Sequence, residues 1–169
     1  MTLVRLRPLT TADVDALVEA SEGRAFGPSS DERRARLHKQ LERRLTLEHD
    51  GFLSLGVEAD GQLVGDIQAR SPKNAFPPGV CEIGITLFAA ARGKGVGSDA
   101  VAQFTELLFE KGLKRVQAST ALDNVAMRRV LERVGYEYEG VLRSFAPDAD
   151  GTRDDYAIYA AVADGRATS

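Results

Sequence analysis

The stretch FAAARGKGVGSDAVA, residues 88–102, decides how this chain is read. It follows an apolar, β-branched run, Val80–Leu87, that reads as a strand. It leads into residues 98–111, where Ala100, Val101, Phe104, Leu107 and Leu108 recur at helical spacing. Between the two stand Gly93, Gly95 and Gly97, interleaved with Arg92 and Lys94. The first N–H groups of a helix have no intrahelical acceptor and carry partial positive charge. Glycines before them let the backbone approach a ligand closely and take positive φ. A strand, a glycine-rich turn and a helix in this order form a phosphate cradle.

Spacing narrows the phosphate ligand. A P-loop requires G-x-x-x-x-G-K-[ST], but here Lys94 is followed by Gly95, and Phe88 holds the place of the first glycine. That excludes a nucleotide hydrolase of the P-loop type. A dinucleotide fingerprint requires G-x-G-x-x-G, and the spacing here is G-x-G-x-G on a strand late in the chain. What remains is R-x-x-G-x-G, from Arg92 through Gly95 to Gly97, closed by Ser98.

Composition bounds the rest. The 169 residues, 43% apolar and 28% charged, suit one globular domain with one core. A net charge of −3 gives no reason to expect a nucleic-acid partner. Cys81 is the only cysteine, which excludes an intrachain disulfide framework and a cysteine-based zinc cluster; it reads as a small buried residue. His38 and His49 lack metal-ligand spacing and read as surface residues, so no metal is expected. There is no apolar run of membrane-spanning length and no signal-peptide core in MTLVRLRPL, so the expectation is a cytoplasmic protein with no membrane partner.

Outward from the loop, the chain alternates strands and helices. Residues 3–7 read as a strand ended by Pro8, and 11–20 as a helix with Val14, Leu17 and Val18 on one face. After a break at 23–28, Ser29 and Glu32 have capping-box spacing and open a helix expected to run to about Glu48, with Leu37, Leu41 and Leu45 buried. Its Arg33, Arg34, Arg36, Lys39, Arg43 and Arg44 form either a solvated face or the basic wall of a substrate cleft. Phe52–Ala59 and Gln62–Arg70 flank Asp60 and Gly61, a hairpin signal, while Gly56 and Gly65 mark bulges or close packing. Residues 71–79 are a loop, 113–120 a strand, and Asp123 or Asn124 caps a helix through Val134 that Gly135 stops. In that helix Ala126, Met127, Val130, Leu131 and Val134 make the apolar face. Strands at 136–145 and 154–162 close the chain around a turn at 147–151, before a polar tail. This order predicts an α+β fold: a mixed sheet with helices on both faces, and a right-handed crossover joining a parallel pair between Val80 and Thr120.

The loop with its strand and helix resembles the coenzyme A pyrophosphate loop of the GNAT superfamily of N-acetyltransferases. The opening LVRLRPLTTADVDAL and the run NVAMRRVLERVGY, residues 124–136, resemble its RimJ/RimL-like branch. Asn124, Glu132 and Gly135 match that branch's N-x-x-S-x-x-x-x-E-K-x-G-F segment, whereas Met127, Arg133 and Tyr136 depart from it. Gly140 with Arg143, and Gly151 with Asp154, Asp155 and Tyr156, also fit. The resemblance implies the GNAT fold, a mostly antiparallel sheet of six to seven strands with one splayed parallel pair. It implies acetyl-CoA as acyl donor, bound between strands Val80–Leu87 and 113–120.

By the same resemblance, Ile85 and Leu87 contact the pantetheine arm through their backbone. Arg92, Gly93, Lys94, Gly95, Val96, Gly97 and Ser98 wrap the pyrophosphate. Asn124 bonds the arm, although it also reads as a plain helix cap. Arg128 and Arg133 meet the nucleotide end or are exposed helix charges. Glu82 is the candidate general base, or else an edge carboxylate paired with an arginine; Asp66 is a weaker candidate. The Leu87 N–H is the oxyanion donor. Leu131 stands where many relatives carry a tyrosine acid, which leaves Ser119, Tyr136, Tyr138 or solvent to protonate the thiolate. The acceptor is a small-molecule amine or a protein N-terminus, bound by the first two helices and the last hairpin, with Phe26, Phe76 and Phe145 as lining or core. A homodimer through the terminal strands also follows from the resemblance. The alternative is a non-catalytic acyl-CoA-binding domain acting as a sensor or assembly part.

Overall fold

The structure is a computed structural model that describes residues 2–21, 29–148 and 150–163. The break at 23–28, Phe26 and most of the polar tail lie outside the described residues. Seven strands form one sheet: β1 (Val4–Pro8), β2 (Phe52–Ala59), β3 (Gln62–Arg70), β4 (Val80–Leu87), β5 (Arg115–Ala121), β6 (Glu137–Pro147) and β7 (Arg153–Val162). Their order is β1-β2-β3-β4-β5-β7-β6. Every neighbouring pair is antiparallel except β4 and β5, as the α+β reading requires.

Local chemistry places the turns. Asp60 and Gly61 both take positive φ, 50° and 82°, so β2 and β3 meet in a two-residue turn whose twist matches the strands. Ser29 and Glu32 make the expected capping box, with Glu32 Oε2 accepting from the Ser29 N–H at 2.8 Å. The helix they open, α2 (Ser30–Arg43), stops earlier than its apolar spacing suggests. Arg44 enters the left-handed region at φ 47°, and Thr46 caps a separate short helix, α3 (Leu47–Asp50). Leu45 therefore lies between helices rather than on the buried stripe of one. Helix α4 (Val96–Glu110) begins two residues before the sequence expectation, because Gly95 at φ 82° serves as its N-cap. Helix α5 (Val125–Arg133) is capped by Asn124, whose side chain accepts from the Met127 N–H at 3.2 Å.

The sheet has two unlike faces. On one, Val57, Ile67, Ala69, Cys81, Ile83, Val116, Ala118 and Tyr159 pack against Ala100, Val101, Phe104 and Leu108 of α4 and Leu131 of α5. Inside this layer the Tyr136 hydroxyl pairs with Thr105 Oγ1 at 2.7 Å, which satisfies both buried groups. The other face is polar in its middle. At one end it is covered by α1 (Val14–Glu19), where Val14, Leu17 and Val18 pack with Leu37 of α2 in a second apolar cluster. No helix among the described residues is long and apolar enough to cross a membrane.

Two contacts hold the framework and can be tested. A Cβ on Gly65 would sit 2.0 Å from the Thr86 carbonyl oxygen, a backbone atom that cannot step aside. Gly65→Ala is expected to cost about 1–3 kcal/mol in urea unfolding, the usual penalty of overpacking; an unchanged midpoint would refute that close approach. Arg7 also grips Asp13 through two bonds, of 2.8 and 2.9 Å, and Glu58 through a third of 3.1 Å, tying the start of α1 to the sheet edge. The Arg7 guanidinium holds the Asp13 carboxyl down at about 2, against an ordinary 3.8. A depressed carboxylate stabilises the fold above its unfolded value and loses that contribution as pH falls through the folded value. Stability is expected to drop between about pH 4 and pH 2 by on the order of 2 kcal/mol, and Asp13→Asn to flatten that segment of the pH–stability curve.

Candidate active site

The parallel pair β4–β5 is short. Its register runs only from Val80 opposite Arg115 to Glu82 opposite Gln117. Beyond that the strands part, although β4 continues to Leu87 and β5 to Ala121. On its other side β4 stays paired with β3 as far as Leu87 opposite Gly65, and the Phe88 N–H bonds the Val64 carbonyl at 2.8 Å. Antiparallel pairing uses the amide groups of alternate residues. With Phe88 turned to β3, the groups of Ile85 and Leu87 turn the other way, into the split. They are the backbone groups of β4 that have lost a strand partner.

The glycine loop closes the same opening. Ala89–Ala91 form a single 3-10 turn, Arg92 is extended, and Gly93 and Gly95 take φ of 72° and 82° with open space at both Cβ positions. Helix α4 follows at once, so the N–H groups of Val96, Gly97 and Ser98 stand at its positive end without intrahelical acceptors. A Cβ on Gly97 would touch Leu87 and Val130 at 3.5 and 3.6 Å, so its lack of a side chain keeps the floor of the cleft low where β4, α4 and α5 meet. Arg92 Nε donates to the Leu87 carbonyl at 3.0 Å, which fixes the loop to the strand end.

These parts enclose a cleft of about 660 Å³. Of the residues singled out from the sequence, Ile85, Leu87, Arg92, Gly93, Gly95, Gly97, Ser98 and Asn124 line it together. Lys94 is exposed on the loop, and the Val96 side chain is buried in the core, so Val96 offers only its N–H. Arg128 is turned away from the cleft. Its Nε donates to the Tyr159 hydroxyl at 3.1 Å and its Nη1 to the Leu122 carbonyl at 3.1 Å. The arginines of α5 that line the cleft are Arg129 and Arg133. Arg129 was not among the sequence candidates; its place four residues before Arg133, on the helix side that also carries Ala126 and Val130, is the signal that identifies it. Leu131 is fully buried in the core layer, so no side chain from that position reaches the cleft.

Glu82 occupies the crotch of the split, on the opposite face of the sheet from α4. It is the last residue of β4 paired with β5. Ser119 Oγ donates to Oε1 at 3.1 Å and Gln117 Nε2 to Oε2 at 3.3 Å, both from β5, and Arg70 of β3 approaches Oε1 at 3.8 Å. The carboxylate is thus held in place and mostly buried, with a part still open to solvent, which combines the two sequence readings of this residue. Asp66 is buried beside Arg33 of α2, with Nη2 at 3.4 Å from Oδ1. Burial raises the Tyr136 hydroxyl beyond the ordinary range, and its bond to Thr105 lies within the core layer rather than the cleft. Cys81 is fully buried and burial pushes its thiol up to about 12, so it is not a reactive thiolate. Phe76 is half-buried, while Phe145 is exposed and packs against Tyr156 with ring centres 5.2 Å apart. Among the described residues no group of histidine, cysteine, aspartate or glutamate could hold a metal.

The fold is shared with solved structures. Mycobacterium smegmatis RimJ in complex with CoA-disulfide aligns with a TM-score of 0.78 at 22% identity, over 98% of this chain and 85% of that one. Ribosomal-protein-S5-alanine acetyltransferase from Vibrio fischeri aligns at 0.77 and 19% identity, over 97% and 94%. A chimera of Vibrio cholerae spermidine N-acetyltransferase SpeG aligns at 0.78 and 17% identity, over 94% and 95%. At these identities the likeness shows a common fold. No curated protein matches the chain by sequence. A family model described as an acetyltransferase (GNAT) domain matches residues 4–137, most of the chain and every part of the cleft, and the chain therefore belongs to the GNAT acetyltransferase family.

Proposed function

We propose that this protein transfers the acetyl group of acetyl-CoA to a primary amine, a protein N-terminus or a small-molecule amine, within a single domain. The observation that carries this reading is the coincidence, in one cleft, of the Gly93–Gly95 cradle, the start of α4 and the unpaired amides of Ile85 and Leu87. Phosphate oxygens suit the N–H groups at the α4 N-terminus. The amides of a pantetheine arm suit strand groups that lack a partner, since an added strand makes the same bonds. Asn124, engaged as a cap through its carbonyl oxygen, keeps its amide NH₂ for the arm, and Arg129 and Arg133 supply positive charge along the cleft. Complexes of relatives, such as RimJ with CoA-disulfide, support the same donor.

Acetyl-CoA brings a thioester whose carbonyl carbon accepts a nucleophile. The chain's part is to prepare that nucleophile and receive the charge. Glu82, held by Ser119 and Gln117, takes a proton from the incoming ammonium directly or through one water. The Leu87 N–H, turned into the split away from β3, donates to the developing oxyanion. Solvent protonates the departing thiolate, because Leu131 and Tyr136 are both closed off in the core. Proteins of the same fold include a ribosomal-protein-S5-alanine acetyltransferase and a spermidine N-acetyltransferase, so both acceptor classes stay within the proposal. The long edge strand β6, with Tyr138, Val141 and Phe145 exposed, supports pairing with a second copy.

Two experiments test this reading. Gly95→Glu forces a side chain into left-handed backbone and sets a negative charge where the pyrophosphate would lie. Calorimetry should show acetyl-CoA affinity falling at least tenfold, and an unchanged affinity would sink the donor site. Glu82→Gln should lower kcat/KM for amines by about 10²–10⁴ while acetyl-CoA still binds. If acetyl-CoA binds but no amine accelerates thiol release from the unaltered protein, the non-catalytic binding domain becomes the correct reading.

A further inference from the structure

A second cavity, of about 390 Å³, lies between α2 and β2, away from the cofactor cleft. Leu37, Leu41 and Leu45 form its helix side and Phe52 its strand side, while Leu53 and Leu55, whose side chains pack on the α4 face, border it at the open sheet edge. Two features of the backbone hold it open. Strand β1 ends at Pro8 opposite Leu55, so Phe52–Ser54 have no strand beyond them on that edge. Helix α2 packs closely on α1 rather than on the sheet and ends at Arg44, before the chain turns back into α3.

The sheet register connects this cavity to the catalytic carboxylate. Phe52 pairs with Arg70, Arg70 with Glu82, and Glu82 with Gln117, so these four residues form one straight row across the sheet. Paired residues in a sheet project from the same face. Leu53, Ala69 and Ile83, the next row, belong to the opposite face, against α4. Two strand spacings separate Phe52 from Glu82, about 10 Å. The one side chain between them is Arg70, exposed and leaning on Glu82. Ser54, also in the cavity wall, continues through Gln68 to Gly84 in a parallel polar row.

Resting on the acetyltransferase reading above, we infer that this cavity is the second subsite of the acceptor: the protein acetylates primary amines that carry an apolar group about 10 Å from the nitrogen. The amine sits at Glu82, the apolar group enters between Leu41, Leu45 and Phe52, and Arg70 and Gln68 meet the polar atoms between. An extended peptide advances about 3.3 Å per residue, so in a protein N-terminus the apolar group is the third side chain. In a small-molecule acceptor it is the far end of an alkyl chain. The chemistry at both ends is the same.

The test measures kcat/KM at saturating acetyl-CoA for two series. One is N-terminal peptides with Ser, Leu or Phe as third residue; the other is unbranched alkylamines of increasing length. The expected result is a rise of about tenfold or more from Ser to Leu, or along the alkyl series, expressed mainly in KM. Whichever series shows it identifies the source of the acceptor. Leu45→Arg, at a half-exposed position, should flatten the response by placing a charge in the cavity. Leu41→Ala, which enlarges the cavity, should move the optimum to Phe or to a longer chain, a gain that misfolding cannot produce. A flat response in the unaltered protein overturns the inference. So does an apolar preference that survives Leu45→Arg and is not resized by Leu41→Ala. Thiol release that no amine stimulates overturns the acetyltransferase reading and this inference with it.

Discussion

The parting of β4 from β5 after Glu82 and Gln117 is the constraint on which the rest of this molecule depends. A parallel pair that stays together satisfies its own amides and offers a ligand nothing. By separating, β4 retains one paired edge, against β3, and exposes another. Buried amides without partners are costly, and a split lined by them is stable only where water or a ligand can enter. The glycine loop follows that strand and α4 follows the loop, so the unpaired amides and the helix N-terminus face one opening.

The split also joins the two faces of the sheet. One face is sealed by α4 and α5 over a dry layer in which Tyr136 and Thr105 satisfy each other. The other carries Glu82, Arg70, Gln117 and Ser119 and is only partly covered by α1 and α2. Side chains alternate along a strand, so Glu82 cannot project on the face of Ile83. A donor held on the α4 side and a group on the opposite side can meet only through the gap, and Glu82, the base we propose, sits at its closed end. The Arg33–Asp66 pair and the Arg7–Asp13 grip fix α2 and α1 at one end of that polar face, away from the carboxylate. The Arg7 network is part-buried and geometrically tight, so it defines position more than an exposed pair would.

Much of this was legible in the chain because its signals are local. The bounds of β2, β3 and β4 agree with the alternation and turn residues that mark them, and Asp60-Gly61 is the hairpin its composition announces. The glycine loop is legible because positive φ and close approach demand a particular residue type at particular positions. Asn124 is legible as a cap for the same reason. Errors arise where the outcome depends on what lies opposite. Arg128 and Arg129 carry the same side chain and differ only by about 100° in direction, so their spacing separates them only once the helix face toward the cleft is known. Tyr159 and the Leu122 carbonyl claim the first, which leaves the second to the cleft.

By itself the sequence determined the elements that form the proposed donor side: a strand, a loop whose glycines suit phosphate, a helix start and a capping asparagine, all within neighbouring stretches of chain. Only the tertiary structure brought together the residues we propose for the acceptor side. The break of α2 at Arg44 places a non-glycine residue in left-handed backbone, which no apolar spacing announces. The row Phe52–Arg70–Glu82–Gln117 draws on four strands, and its ends lie 65 positions apart in the chain. Each residue's neighbours along its own strand point to the other face, and only the hydrogen-bond register across the sheet brings these side chains into line.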